Sequence, residues 1–172
     1  MLHGKTMIMG IGVVCLLAIP GRAPRAQDFE WVFDNNGNVD YVLTSVSSPD
    51  VYSGALPAND PTLNLQLDKR YRVTIENPLL HPFAVLAKGS NAFTDVVLLG
   101  QGGSAGSFEG DAGVNWVDDS GAGAVEFTVT QNLVDAMNQG TLTPGYRCNV
   151  HITDMRGDFN VDGQIDIADP IG

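Results

Sequence analysis

Cysteine and histidine are scarce in this chain, two and three among 172 residues, and one of each, Cys15 and His3, falls within the first 26 positions. Cations are few as well, nine Lys and Arg against 20 Asp and Glu, for a formal charge of −11. The apolar run Met7–Ile19 spans only 13 residues, short of the about 20 that a membrane-crossing helix needs. Each shortage excludes something. So few dispersed cations cannot supply the basic patch that nucleic acid or an anionic membrane surface requires. The glycine-rich stretch 100–124 has no following Lys-Ser/Thr, which leaves a phosphate cradle only weak support.

Met1–Ala26 begins with His3 and Lys5, continues through the apolar run and ends Pro20-Gly-Arg-Ala-Pro-Arg-Ala26. That is the layout of a secretory signal peptide, so the mature chain is expected to be periplasmic or secreted, with no membrane span. Without residues 1–26, six basic residues face 20 acidic ones, a formal charge of −14. Such a surface suits a partner with a basic docking face, brought in by long-range attraction. Residues 27–161 are expected to form one domain, followed by an acidic tail at 162–172. Cys148 is then the sole cysteine, so no intrachain disulfide can form and the thiol needs another use.

Scarcity gives weight to what the stretch Tyr146–Gly157 contains. Cys148, His151 and Met155 follow a Pro144-Gly145 turn at intervals of three and four positions, and His81 lies far upstream. Every histidine and cysteine of the expected mature chain enters this set. Two imidazoles, a thiolate and a weak axial thioether are the donors of a mononuclear copper site that transfers electrons. Met137, the other mature methionine, sits at helical spacing with Leu133 and Val134 and is expected in the core.

The rest of the pattern is β. Phe29, Trp31 and Phe33 alternate with more polar neighbours, Asn36-Gly37 is a turn dipeptide, and Val39–Thr44 alternates again. Thr62–Leu67 and Tyr71–Glu76 have period 2 on either side of a turn at 68–70, and 77–86 reads as a strand with Phe83 and Val85 facing inward. Residues 100–124 predict a long loop with a short strand near Val114–Val117, Val125–Thr130 a strand, and Gln131–Gln139 the one helix. Many short strands and a single helix predict an all-β sandwich.

In order, Tyr71-Arg-Val-Thr-Ile-Glu-Asn77, His81-Pro-Phe83 and Pro144-Gly-Tyr-Arg-Cys148-x2-His151-x3-Met155-Arg-Gly157 resemble the cupredoxins, in particular plastocyanin- and pseudoazurin-like proteins. The resemblance spans roughly residues 60–161. It implies a Greek-key β-sandwich with copper near one end, held by His81, Cys148, His151 and Met155, and the function of an electron carrier between protein redox partners, with no enzymatic turnover. Multicopper oxidases and copper nitrite reductases need further histidines, and a binuclear purple copper centre needs two cysteines. Two departures stand out. Pro82, after the first histidine, has no N–H to offer the thiolate, a change that by itself predicts a lowered potential. The His151-to-Met155 interval holds three residues where plastocyanins have four.

The carboxyl-terminal stretch offers another chemistry. Asp158, Asn160, Asp162, Asp166 and Asp169 fall at positions 1, 3, 5, 9 and 12 of a calcium loop, with Gly163 at 6 and Gln164 at 7. Residues 158–169 thereby resemble half of a dockerin repeat. The same stretch also alternates as a final strand over Gly157–Val161. Two further function classes follow: copper storage or delivery through the same ligands, and a copper-free interaction module with a calcium-binding tail.

Overall fold

A computed structural model describes residues 26–76, 80–153 and 155–161. The expected signal peptide therefore lies outside the described residues except for Ala26. The strands are β1 (Phe29–Asn36), β2 (Asp40–Val46), β3 (Ala58–Asn59), β4 (Leu63–Asn64), β5 (Arg70–Ile75), β6 (Phe83–Lys88), β7 (Val96–Gly100), β8 (Val117–Asp119), β9 (Ala124–Thr128), β10 (Thr143–Cys148) and β11 (Arg156–Asn160), with helix α1 (Gln131–Met137) between β9 and β10. They form two mixed sheets, ordered β3-β2-β1-β5-β9-β8 and β4-β11-β10-β6-β7. The protein is an all-β sandwich with one α-helix among the described residues.

Alternation explains the first sheet. Trp31 and Phe33 of β1, Tyr41 and Leu43 of β2, Tyr71, Val73 and Ile75 of β5, and Val125 and Phe127 of β9 all point into one core, while their neighbours stay at least partly exposed or pair on the outer face. Gly37 closes the β1–β2 hairpin in the left-handed region, which glycine enters without steric cost. β6 breaks the alternation, with Phe83 to Ala87 buried throughout. Its inward residues, Phe83, Val85 and Ala87, join the core. The other face of that sheet is covered by α1, which packs on β6, β7 and β10. The helix starts at Thr130, whose side chain accepts the Leu133 N–H, and buries Leu133 and Met137. Met137 is a core residue, as its spacing predicts.

Two expectations are corrected, and a choice the sequence left open is decided for two residues. The strand read at Thr62–Leu67 shrinks to Leu63–Asn64. Leu63 and Leu65 are buried, but the Gln66 N–H turns to the Tyr71 hydroxyl and Asp68 takes a left-handed backbone, which ends the ladder. The short strand in the glycine-rich loop is Val117–Asp119, displaced from 114–117, with Val114 instead buried and accepting the Thr128 N–H. Finally, Asp158 and Asn160, the first two positions of the calcium reading, lie in β11. There they sit between β10 and β4, Asp158 paired with Lys88 and the Asn160 amide donating to Asn64. A strand holds these two residues extended, where a calcium loop must curl them around an ion. Asp162, Gln164, Asp166 and Asp169 lie outside the described residues.

Candidate metal centre

β10 delivers Cys148 to one end of the second sheet, its last residue paired with Phe83 of β6. The chain then doubles back so tightly that the Val150 and His151 N–H groups both donate to the Cys148 sulfur, at 3.4 and 3.3 Å. The loop thus supplies the sulfur with donors that Pro82 cannot give. His81 arrives from the segment before β6, where the following proline restricts it to extended backbone. The Pro82 carbonyl accepts the Asn149 N–H at 2.7 Å, joining the segment that carries His81 to the cysteine loop.

These connections converge three donors. His81 Nδ1 and His151 Nδ1 lie 3.2 Å apart, and Cys148 Sγ lies 3.6 Å from His151 Nδ1. All three ligand atoms lie within 4.8 Å of one another, the group of metal-binding side chains found among the described residues. An ion about 2.0 Å from each nitrogen and about 2.3 Å from sulfur would subtend the first two separations at roughly 105–115°, while the third, within 4.8 Å, has to lie below about 4.3 Å for one ion to touch all three donors. Cys148 and His81 are buried and His151 is partly exposed. Burial, and then the neighbouring His151, push the His81 imidazole below its usual range, toward the neutral form that a ligand requires.

Met155 is fully buried, and its carbonyl accepts the Cys148 N–H at 3.0 Å. Met155 directly precedes β11, whose first residue, Arg156, pairs with Arg147. Of the expected ligands the structure brings His81, Cys148 and His151 together, and it ties Met155 to Cys148 through the backbone.

Several supports had no sequence signal. The Asn149 side-chain amide donates to the carbonyls of Gly102 and Ser104, and Gly102 and Gly103 both adopt the left-handed backbone that curls this loop around it. Part of the glycine-rich stretch is thus packing for the cysteine loop. Asp95, fully buried, accepts from both Arg147 and Arg156, the neighbours of Cys148 and Met155. Tyr41 crosses from the first sheet to donate to the His81 carbonyl at 2.7 Å. Tyr146 is core, its hydroxyl bonded to the Pro61 carbonyl and its ring among Phe33, Phe83 and Phe159.

Asp60 clamps Tyr41 by its backbone, accepting the Tyr41 N–H on Oδ1 at 2.9 Å and donating its own N–H to the Tyr41 carbonyl at 2.8 Å. Desolvation raises its carboxyl from 3.8 to about 6, against the opposing Tyr41 hydrogen bond. A raised carboxylate binds its proton more tightly in the folded state, so its contribution to stability is lost as pH climbs from about 4 to about 6. Asp60→Asn keeps the acceptor, tolerates the positive φ of this position and carries no charge. It is expected to melt higher than wild type at pH 8 and to match it at pH 3.5; an equal gap at both pH values would refute the assignment.

Fold and site together define a β-sandwich with a buried His-Cys-His cluster able to hold a metal ion. No family model, curated protein or solved structure matches the chain.

Proposed function

We propose that this protein is a cupredoxin-like electron carrier whose single copper ion is held by His81, Cys148, His151 and, axially, Met155. The observation that carries this reading is the spacing of His81 Nδ1, His151 Nδ1 and Cys148 Sγ around one gap, with the Met155 carbonyl accepting the Cys148 N–H. Thiolate and thioether suit Cu(I) and imidazole suits both oxidation states, so the donor set favours copper among the late metals. Copper would supply the one-electron couple.

The chain's own residues hold the donors fixed. Cys148 is anchored by the Met155 carbonyl, the sulfur by two loop N–H groups, and His81 by its carbonyl, so little reorganisation accompanies a change of charge at the centre. His151 is the ligand that reaches toward solvent, and Leu80 and Val150, 62% and 56% exposed, lie next in sequence to the two histidines. They offer an apolar contact for a redox partner beside the electron's exit, while the acidic surface selects a partner with a basic face. Export to the periplasm or beyond belongs to the same reading.

One equivalent of Cu(II) added to the purified chain is expected to give an intense visible thiolate-to-copper band and a reversible one-electron wave. Copper storage or delivery would instead give binding with slow, irreversible electrochemistry. A colourless protein whose Cys148 still reacts with thiol reagents would overturn the copper reading.

A further inference from the structure

We propose that Asn149 is a positioning residue for the metal centre: hydrogen bonds from its backbone N–H and its side-chain amide lock the cysteine loop to the segment that carries His81, and so set whether one ion can reach all three donors. This deepens the metal-centre reading above and rests on it.

Cys148 and His151 share one loop, whereas His81 arrives on another segment. The gap between them is set by what joins loop and segment, and Asn149 sits at that joint. Its N–H donates to the Pro82 carbonyl at 2.7 Å, and its amide nitrogen donates to the Gly102 and Ser104 carbonyls at 2.8 and 3.1 Å. Both side-chain partners are acceptors, which places the amide nitrogen, not its oxygen, between them. Gln101, fully buried, closes the circuit: its N–H donates to the Phe83 carbonyl at 2.8 Å and its side-chain oxygen accepts the Phe83 N–H at 3.2 Å. A hydrogen-bonded ring thus runs through Asn149, Pro82, Phe83, Gln101 and Gly102, with Cys148 next in sequence to one member and His81 next to another.

The seat for the amide has its own supports. The Glu109 carboxylate accepts the N–H groups of Gly100 and Gly106, and Asp118 accepts that of Gly102, so the glycine-rich loop is braced without help from the cysteine loop. Glycine is needed on both flanks. A Cβ at Gly100 would lie 3.1 Å, and one at Gly103 3.2 Å, from Asn149 Nδ2. Two glycines of the stretch therefore make room for one amide. Losing the seat frees Asn149, and with it the Val150 and His151 N–H groups that donate to the sulfur, because those residues follow it directly in the loop. The ion would then keep the two donors of the loop and lose its hold on His81.

The test titrates wild type, Asn149→Leu, Gly103→Ala and Gly140→Ala with redox-inert Cd(II) and, separately, with Cu(II). Asn149→Leu removes the amide and adds no charge beside a cation. Gly103→Ala, at a φ of +60°, pushes on the amide without touching residue 149. Gly140→Ala is the control: its φ of +68° carries the same left-handed cost, with nothing within 4 Å of the added Cβ. Asn149→Leu and Gly103→Ala are expected to bind Cd(II) about 10–100-fold more weakly, the cost of losing an outer-shell partner. Both are also expected to move the cadmium resonance, to shift the thiolate-to-copper band and, without metal, to speed hydrogen exchange at the Asn149 N–H. Gly140→Ala is expected to lose stability much as Gly103→Ala does, with wild-type affinity, resonance and band. Wild-type affinity and resonance in Asn149→Leu, or equal losses in the two glycine variants, would overturn the proposal. Should Asn149→Leu not fold, the two glycine variants decide. The expected cadmium pattern with no copper band in wild type would sink the copper reading and uphold Asn149; no binding of either ion by wild type would sink both.

Discussion

Cys148→Ser is expected to abolish the intense visible band of the Cu(II)-loaded protein and to weaken Cu(I) binding by well over 100-fold, about the upper cost of losing only an outer-shell partner. The reason lies in the donor chemistry. A serine hydroxyl is neither the soft donor that Cu(I) prefers nor the source of thiolate-to-metal charge transfer. The fold itself is expected to survive, because Val150 and His151 can donate to the serine oxygen as they do to sulfur. Absorption and competitive Cu(I) titration measure the first effect, and a thermal melt of the metal-free protein measures the second. A variant that kept the visible band would remove Cys148 from the metal.

The second large effect concerns the support behind the loop. Arg147 and Arg156 face each other across β10 and β11, two like charges in register, and the buried Asp95 neutralises both. Asp95 also accepts the Gly89 N–H, and Arg147 donates to the Ala92 carbonyl, so the triad ties the segment before β7 to the hairpin that carries Cys148 and Met155. Asp95→Asn leaves two guanidinium groups facing each other with no counterion, and Arg147 Nε already has no hydrogen-bond partner. Breaking a buried pair in this way costs about 3–5 kcal/mol, which for a domain of this size lowers Tm by roughly 10–20 °C. Combining it with Arg147→Met is expected to recover part of the loss, because the penalty lies in the uncompensated charge. A fall of only about 2 °C would mean that water reaches the guanidinium groups.

The two predictions separate parts of the site that differ in how they can be read. Cys148, His151 and Met155 are close in sequence, so their spacing alone restricts where their donors can go. Strand alternation was similarly legible wherever one face is buried and the other at least partly exposed, as in β1, β2 and β5. It failed where that contrast disappears. Val96-Val97-Leu98-Leu99 is an apolar run with no period, and β7 left no alternating signature. Thr62–Leu67 alternates well, yet most of it makes no ladder, since a hydrogen bond to the Tyr71 hydroxyl and the turn at Asp68 compete for the backbone. In the carboxyl-terminal stretch two patterns overlapped, and pairing with β10 and β4 decided Asp158 and Asn160 in favour of the strand.

By itself the sequence determined the donor inventory, one thiol and two imidazoles beyond residue 26 with a thioether at short range, and the β character of the chain around them. Short loops confine their own side chains, and period-2 burial is written directly in residue order. Only the tertiary structure decided that His81 closes on the loop, that Tyr41 reaches it from the other sheet, and that one aspartate neutralises two arginines beneath it. Those contacts join residues about 40 to 70 positions apart. They depend on strand register and on the packing of one sheet over the other, and no local spacing encodes either.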